Sequence, residues 1–250
     1  MVPGVRDAMP TRTTPAGQPH NCCVKGVRYV ETPGDDVLDG AVSVRYCDCR
    51  LGQARRYGLP DKMLDWTTHS YVAAGGKRAA VDAAAGWLEG DPTRWMILCG
   101  PYGTGKTGLA VCLYKAIVDR MIAQRGEYDA LIRQPTRPAQ FWRVPDLLDR
   151  QKAAFGSDVR MPLDKAASAE FLVLDDVGAE RGTEFARDVV AQLIQQRYQQ
   201  RRRTLLTTNL NQSEMRVAFG ERVFDRLRDD ALVIVIAGNS LRGRGEEVRV

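Results

Sequence analysis

The chain alternates short apolar runs with longer stretches in which apolar residues recur every three or four positions. Short continuous runs are typical of strands that are buried on both faces, and the longer periodic stretches are typical of helices. The pattern predicts strands at residues 95–100, 141–144, 171–175, 204–208 and 232–236, and helices at 77–88, 108–124, 145–155 and 183–203. Alternation of this kind predicts an α/β fold with a parallel sheet flanked by helices.

Composition divides the chain into three zones. Residues 1–19 contain four prolines and lack an apolar signal core, so we predict a disordered leader there. Residues 20–55 hold four of the six cysteines, with turn signals at 33–34 and 39–40. Residues 56–250 carry the α/β pattern. Since no apolar run is long enough to cross a membrane, we expect no membrane partner and a cytoplasmic location.

A glycine-rich loop follows the first predicted strand and leads into a helix, in the pattern G-x-x-x-x-G-K-[ST]. The glycines let backbone N–H groups point at phosphate oxygens, and the positive end of the helix dipole lies at the same place. The lysine of such a loop reaches the β- and γ-phosphates, and the threonine hydroxyl binds magnesium. These features predict an ATP site formed by Gly100, Pro101, Tyr102, Gly103, Thr104, Gly105, Lys106, Thr107 and Gly108.

Polar side chains end two of the strands that are predicted after this helix. Asp175 and Asp176 end the strand at 171–175, and the carboxyl ends of parallel strands meet at one edge of the sheet. We predict that Asp175 holds Mg²⁺ with Thr107 and that Asp176 is the general base for an attacking water. Asn209 follows the strand at 204–208 and is expected to orient that water. The alternatives are an acidic turn and a strand-end asparagine without a catalytic role.

The net charge of +5 is modest, but the positive residues are clustered. This charge is equally compatible with an ordinary, slightly basic protein and with a protein that binds a polyanion. The clustering supports the second alternative, because clustered cations release counterions when they contact phosphates. The clusters contain Arg50, Arg55, Arg56, Arg197, Arg201, Arg202, Arg203, Arg242 and Arg244.

Taken together, the motifs resemble those of the AAA+ helicase loaders of the DnaC/DnaI kind and the related IstB-type transposition ATPases. The resemblance lies in residues 58–60, 100–107, 174–178, 207–209 and 220–228. It implies ATP hydrolysis, an ATP-dependent homo-oligomer on single-stranded DNA, and the loading of a DnaB-type replicative helicase.

Two alternatives stay open beside the helicase loader. One is an IstB-type ATPase that assembles on duplex DNA and assists transposition. The other is a nucleotide-switched binding module with negligible turnover, since Asp176 is shorter than the glutamate more often found at this position.

The resemblance also implies roles for several arginines. Arg222 resembles an arginine finger that acts on a neighbouring subunit, and Arg226 is the alternative finger; otherwise both are surface arginines bonded to Glu221 or Asp225. Arg242 resembles a second sensor arginine that contacts the nucleotide in cis, or belongs to a basic tail. The few residues after it predict little or no C-terminal lid. The arginines at 197–203 are expected to contact DNA phosphates or to form a solvated helix end.

The N-terminal cysteines suggest a zinc site. Zinc prefers a tetrahedron of thiolate and imidazole ligands, and in so short a segment the metal would supply folding energy. Four of five candidates would bind it: His20, Cys22, Cys23, Cys47 and Cys49. The alternative is a loosely folded module whose thiols bind no metal. By the resemblance, this module contacts the partner helicase.

Overall fold

The computed structural model describes residues 27–31, 42–90, 94–125, 138–154, 162–178 and 184–241. The strands are β1 (Val27–Glu31), β2 (Val42–Tyr46), β3 (Trp95–Cys99), β4 (Ala139–Arg143), β5 (Phe171–Val177), β6 (Arg203–Thr208) and β7 (Ala231–Val235). The helices are α1 (Arg50–Tyr57), α2 (Thr68–Ala73), α3 (Arg78–Glu89), α4 (Lys106–Arg125), α5 (Val144–Ala154), α6 (Pro162–Ser168), α7 (Glu184–Gln199), α8 (Gln212–Phe219) and α9 (Glu221–Asp229), with a short 3₁₀ helix at Asp61–Met63.

Five strands form one sheet in the order β4-β5-β6-β3-β7, and each neighbouring pair is parallel. The predicted α/β fold with a parallel sheet is therefore confirmed. Strands β1 and β2 pair antiparallel in a separate two-stranded sheet within the cysteine-bearing zone. Because β3 lies between β6 and β7, its carboxyl end is next to the carboxyl end of a strand that comes about a hundred residues later in the chain.

Some element boundaries differ from the sequence prediction. Strand β4 begins at Ala139 and ends at Arg143, so that Val144 already belongs to α5. Helix α7 ends at Gln199 rather than 203, because Arg201 adopts a positive φ of 51° and Arg203 begins β6. Helices α1, α2, α6, α8 and α9 were not predicted, since each has nine residues or fewer and is too short to show a clear helical period.

Helices cover both faces of the sheet, which explains the continuous apolar runs. All five residues of β3 are buried. Met96 and Leu98 pack with residues of α3 and α4 on one face, while Trp95 and Ile97 pack with residues of α5 to α9 on the other. Packing on both faces therefore fixes β3, the strand that leads into the glycine-rich loop. Within the described ranges no helix is both long enough and apolar enough to cross a membrane.

Neither expectation for the arginines at 197–203 holds for Arg197 and Arg203, whose side chains bond inside the fold, whereas Arg201 is exposed and a DNA contact there stays a prediction. Arg197 is fully buried. Its guanidinium donates hydrogen bonds of 2.7–3.1 Å to the carbonyl oxygens of Ala166, Ala167, Ala169 and Arg203 and to Thr204 Oγ1. Arg203 donates to the carbonyl oxygen of Trp87 at 2.7 Å and lies over its indole ring at 4.1 Å. These two arginines hold the fold together because their charges are used inside it.

Candidate functional site

The glycine-rich loop leaves β3 at Cys99 and enters α4 at Lys106. None of its three glycines, at positions 100, 103 and 105, can be replaced without strain, because each has a positive φ and a close neighbour. Gly100 has a φ of 145°, and a Cβ there would lie 2.2 Å from the carbonyl oxygen of Ile236. Gly105 has a φ of 91°, and a Cβ there would lie 2.8 Å from the ring of Tyr71. The glycines are needed both for the backbone turn and for close packing against neighbouring segments.

The ammonium group of Lys106 lies over the loop. It is 7% exposed and donates to the carbonyl oxygens of Gly100 at 2.8 Å and Pro101 at 2.7 Å. Thr104 Oγ1 also donates to the Pro101 carbonyl oxygen, at 3.0 Å. A twenty-residue helix begins at this lysine, so its N-terminal amides and dipole add positive potential at the same point. The loop therefore suits a phosphate chain.

The other predicted residues differ in exposure, since Tyr102 lies at the rim of the loop and Gly108 is buried in the first turn of α4. Tyr102 is 72% exposed. A Cβ on Gly108 would lie 3.0 Å from the ring of Trp66, so this glycine allows the segment before α2 to pack on α4. Leu241, the last residue described near the C-terminus, donates its N–H to the carbonyl oxygen of Gly103 at 2.7 Å. Arg242 lies outside the described residues.

Asp175 lies beside the start of α4. Its carboxyl group is 1% exposed, and Oδ1 accepts hydrogen bonds from Thr107 Oγ1 at 2.8 Å and from Thr207 Oγ1 at 2.7 Å. Burial raises the pKa of Asp175, whereas the hydrogen bonds from Thr207 and Thr107 act in the opposite direction. Carboxylate and hydroxyl oxygens are the ligands that Mg²⁺ prefers, directly or through water. Thr107 and Asp175 are therefore together, and their donor set fits this ion.

Asp176 and Asn209 also meet at this edge of the sheet. Asn209 Nδ2 donates to Asp176 Oδ1 at 3.1 Å. Asp176 has a positive φ of 64°, and the pairing of β5 with β6 shifts its register between Leu174 and Val177. This irregularity turns the Asp176 side chain toward the loop that follows β6. Five polar residues from β5, the carboxyl end of β6 and the start of α4 thus form one hydrogen-bonded cluster beside the glycine-rich loop.

The two candidate finger arginines lie on α9 in different environments. Arg222 is exposed and has no hydrogen-bond or ion-pair partner among the described residues. Glu221 accepts instead from Arg216 at 2.7 Å, and Asp225 lies 3.9 Å from Arg228. The surface pairing that we considered as an alternative is therefore absent from this part of the chain.

Arg226 is half-buried, in contrast to Arg222. Its guanidinium lies over the ring of Tyr198 at 5.6 Å, and its buried Nη1 has no partner within the described ranges. Contact with Tyr198 on α7 holds this side chain against its own subunit. Of the two arginines, Arg222 is the one whose side chain is presented to solvent.

The structure describes only part of the candidate zinc site. Cys47 is buried, and Cys49 caps the N-terminus of α1, where its Sγ accepts the Gly52 N–H at 3.4 Å. His20, Cys22 and Cys23 lie outside the described residues. Among the residues that are described, no three or more potential ligands form a metal-binding group.

Sequence reasoning missed two residues at this site. Thr207 was part of a recognised motif, but its hydroxyl bridges Asp175 and Asp176, which only the strand order brings beside it. The available signal was the pair of threonines that follows the two leucines at the carboxyl end of this strand. Tyr71 is fully buried against Gly105, and nothing in its local sequence indicates that contact.

Comparison with known proteins agrees with this geometry. Residues 77–248 match the family described as IstB-like ATP binding protein. The chain is 28% identical over 152 residues to the replicative helicase loader DnaC of Escherichia coli, covering 59% of this chain and 56% of that protein. It is 30% identical over 163 residues to a putative insertion sequence ATP-binding protein of Sinorhizobium fredii, covering 62% of this chain and 59% of that protein. The chain thus spans little more than half the length of these curated relatives.

A solved structure has the same fold. The crystal structure of the DnaC helicase loader superposes with a TM-score of 0.50 at 26% identity, covering 64% of this chain and 89% of that chain. The family match covers well over half of the chain and includes the glycine-rich loop, Asp175 and Asn209. The chain therefore belongs to the IstB-like ATP-binding proteins, a family of DnaC/IstB-like AAA+ ATPases.

Proposed function

We propose that this protein binds ATP with Mg²⁺, hydrolyses it, and uses the cycle to load a replicative helicase onto single-stranded DNA. The observation that carries the ATPase part is the hydrogen-bonded cluster at the start of α4, in which Thr107 and Asp175 are joined at 2.8 Å. The similarity to DnaC supports the helicase-loading part.

Each residue of the cluster has a distinct task in this proposal. Lys106 leaves the loop carbonyls and neutralises the β- and γ-phosphates. Thr107 and Asp175 hold Mg²⁺, which offsets the charge that develops on the phosphates. Asp176 accepts a proton from the attacking water, and Asn209, which contacts Asp176 at 3.1 Å, orients that water.

ATP turnover on the full chain tests the enzymatic part. We expect phosphate release by the wild type in the presence of Mg²⁺ and single-stranded DNA, and a loss of at least about a hundredfold in Asp176→Asn, since general-base catalysis contributes on the order of a hundredfold or more. Nucleotide binding should persist in this variant. Equal and negligible turnover in both proteins, with DNA and helicase present, would leave the nucleotide-switched binding module as the function.

The exposed position of Arg222 supports a finger that acts between subunits. A guanidinium supplied to the neighbouring subunit would stabilise transition-state charge, and this requires an ATP-dependent oligomer. Arg222→Ala should lose turnover, as should Lys106→Ala. Mixing the two variants should restore part of it, because Lys106→Ala subunits donate an intact Arg222 to the intact site of the other variant.

Arg228→Ala is the matched control for that experiment, since Arg228 is exposed on the same helix. It should retain wild-type turnover. If mixing Arg222→Ala with Lys106→Ala restores no turnover, whereas mixing Arg226→Ala with Lys106→Ala does restore it, Arg226 is the finger instead.

The partner is tested by ATP-dependent capture on a DnaB-type helicase and on a transposase of the insertion-sequence type. Helicase capture and preference for single-stranded DNA are expected. The 30% identity to an insertion sequence ATP-binding protein supports the second candidate, a transposition ATPase on duplex DNA. Capture by the transposase with preference for duplex DNA would establish that function in place of helicase loading.

We also propose that the N-terminal zone, with boundaries at 20 and 55, binds one Zn²⁺ and contacts the partner. Cys47 and Cys49 lie two residues apart, and the N–H···S bond from Gly52 to Cys49 is of the kind that stabilises a thiolate ligand. The purified full chain should contain about one zinc per chain. Cys47→Ser/Cys49→Ser should lose it, while Cys112→Ser, which alters a buried thiol on α4, should retain it. Metal-free wild type would refute this site.

A further inference from the structure

The hydroxyl of Thr207 stands between the two acids of β5. Thr207 is 1% exposed and lies near the carboxyl end of β6. Its Oγ1 donates to Asp175 Oδ1 at 2.7 Å and accepts the backbone N–H of Asp176 at 2.9 Å. One hydroxyl group therefore uses its donor on one acid and its acceptor on the next.

The donor bond sets the orientation of the Asp175 carboxylate. Thr107 and Thr207 both donate to Oδ1, whereas Oδ2 accepts no hydrogen bond from any described residue. Two donors on the same oxygen prevent the carboxylate from rotating and leave Oδ2 available to an ion or its water. With Thr107 alone, the carboxylate plane could turn more freely about the Cβ–Cγ bond, because one hydrogen bond leaves this broad torsion loosely defined.

The acceptor bond holds the backbone of Asp176. This residue has a positive φ of 64°, in the left-handed region that residues with a Cβ adopt uncommonly, although aspartate and asparagine do so more readily than others. It also lies where the register between β5 and β6 shifts, so its N–H has no regular partner across the ladder. Thr207 Oγ1 satisfies that N–H inside the fold. The resulting backbone position brings the Asp176 carboxylate to Asn209.

We propose that Thr207 is a positioning residue that sets the Asp175 carboxylate for the divalent ion and the Asp176 carboxylate for the attacking water. This inference rests on the proposed function, because that function assigns the divalent ion to Asp175 and the attacking water to Asp176. Thr207 touches neither nucleotide nor water in this proposal and acts only through its two neighbours on β5.

The test compares Thr207→Val, which keeps the shape and removes the hydroxyl, with Thr207→Ser, which keeps the hydroxyl. Thr204→Val is the matched control, because Thr204 is equally buried on the same strand and its hydroxyl accepts from Arg197 at 2.9 Å. The measurements are kcat, the KM for ATP, and the Mg²⁺ concentration for half-maximal turnover, on full chains whose thermal unfolding is recorded in parallel.

Thr207→Val should lower kcat by about tenfold or more and raise the Mg²⁺ requirement, with the KM for ATP within about twofold. Thr207→Ser should return kcat to within about threefold of wild type. Thr204→Val should unfold at a lower temperature and keep its kcat. If Thr207→Val does not fold, Thr207→Ala replaces it with the same expectations.

Unchanged kcat and Mg²⁺ dependence in folded Thr207→Val would overturn the proposal, as would an equal loss in Thr204→Val. Failure of the proposed function is a separate result. In that case wild type shows no turnover, and the Mg²⁺ dependence of binding to labelled ATP is measured instead. A higher Mg²⁺ requirement in Thr207→Val would then support the positioning of Asp175, and an unchanged requirement would refute it.

Discussion

Arg197 carries a charged side chain that is fully buried in the folded protein. Burial lowers its pKa to about 9, which still leaves it protonated at neutral pH. A buried guanidinium is tolerated only when its N–H groups are satisfied, and here four carbonyl oxygens and one hydroxyl accept from it. It joins the end of α6, the start of β6 and α7, so it fixes the position of the strand that carries Thr207.

We expect Arg197→Leu to lower the free energy of unfolding by about 3–5 kcal/mol, since several buried carbonyl oxygens lose their donors. Urea unfolding measures this change. Arg201→Ala is the control from the same cluster, because Arg201 is exposed, and it should stay within about 0.5 kcal/mol of wild type. A loss below about 1 kcal/mol in Arg197→Leu would mean that the buried network contributes little to stability.

At the scale of elements, α8 and α9 form the helix pair that carries Arg222. Asn211 caps α8, because its Oδ1 accepts the backbone N–H of Glu214 at 2.9 Å. The Glu214 carboxylate in turn accepts the backbone N–H of Asn211 at 2.7 Å. Gly220 ends α8 and begins α9. Both helices are anchored in the core on one face of the sheet by buried side chains, namely Met215, Phe219, Phe224 and Leu227. The cap therefore fixes the start of α8 and, through the single connecting residue Gly220, helps to position α9.

Asn211→Ala should reduce the free energy of unfolding by about 1 kcal/mol, and Asn211→Ser should retain most of the cap. Chemical unfolding at equilibrium is the measurement. Ser213→Ala is the comparison, since Ser213 is an exposed neighbour that contacts Asn211 without capping the helix. Nucleotide binding should be the same in all three variants, because the cap lies outside the glycine-rich loop. Weaker nucleotide binding in Asn211→Ala would show that α8 is coupled to the site.

The helix that follows the glycine-rich loop also holds the segment before α2. Asp119 on α4 accepts hydrogen bonds from Arg56 at 2.9 Å and from Tyr57 Oη at 3.2 Å. Lys115 donates to the carbonyl oxygens of Leu64 at 2.7 Å and Trp66 at 3.0 Å. These contacts fix α1 and the segment before α2 against the helix that begins at Lys106.

For the whole molecule, ligand binding to the folded state raises stability by linkage. ATP with Mg²⁺ at about 100 times its Kd should add about 2.7 kcal/mol, which is about 5 to 10 °C in Tm for a chain of this size. Lys106→Ala removes the cation that contacts the phosphates and should lose the shift. Lys152→Ala, an exposed lysine on α5, should keep it. A full shift in Lys106→Ala would contradict the assignment of the loop as the nucleotide site.

Local features were readable from the sequence. The strand positions, the glycine-rich loop and the acids at 175 and 176 lie within runs of a few residues, and their periods and spacings are set by backbone geometry alone. The five short helices α1, α2, α6, α8 and α9 were missed for the same reason, since one to two and a half turns do not establish a period.

Only the tertiary structure decided the strand order and what it brings together. The order β4-β5-β6-β3-β7 puts Thr207 and Asn209 beside acids more than thirty residues earlier and beside a loop a hundred residues earlier. It also buried Arg197, which its sequence neighbours marked as part of a basic surface. Pairing between distant strands depends on packing across the whole sheet, so no local pattern contains it.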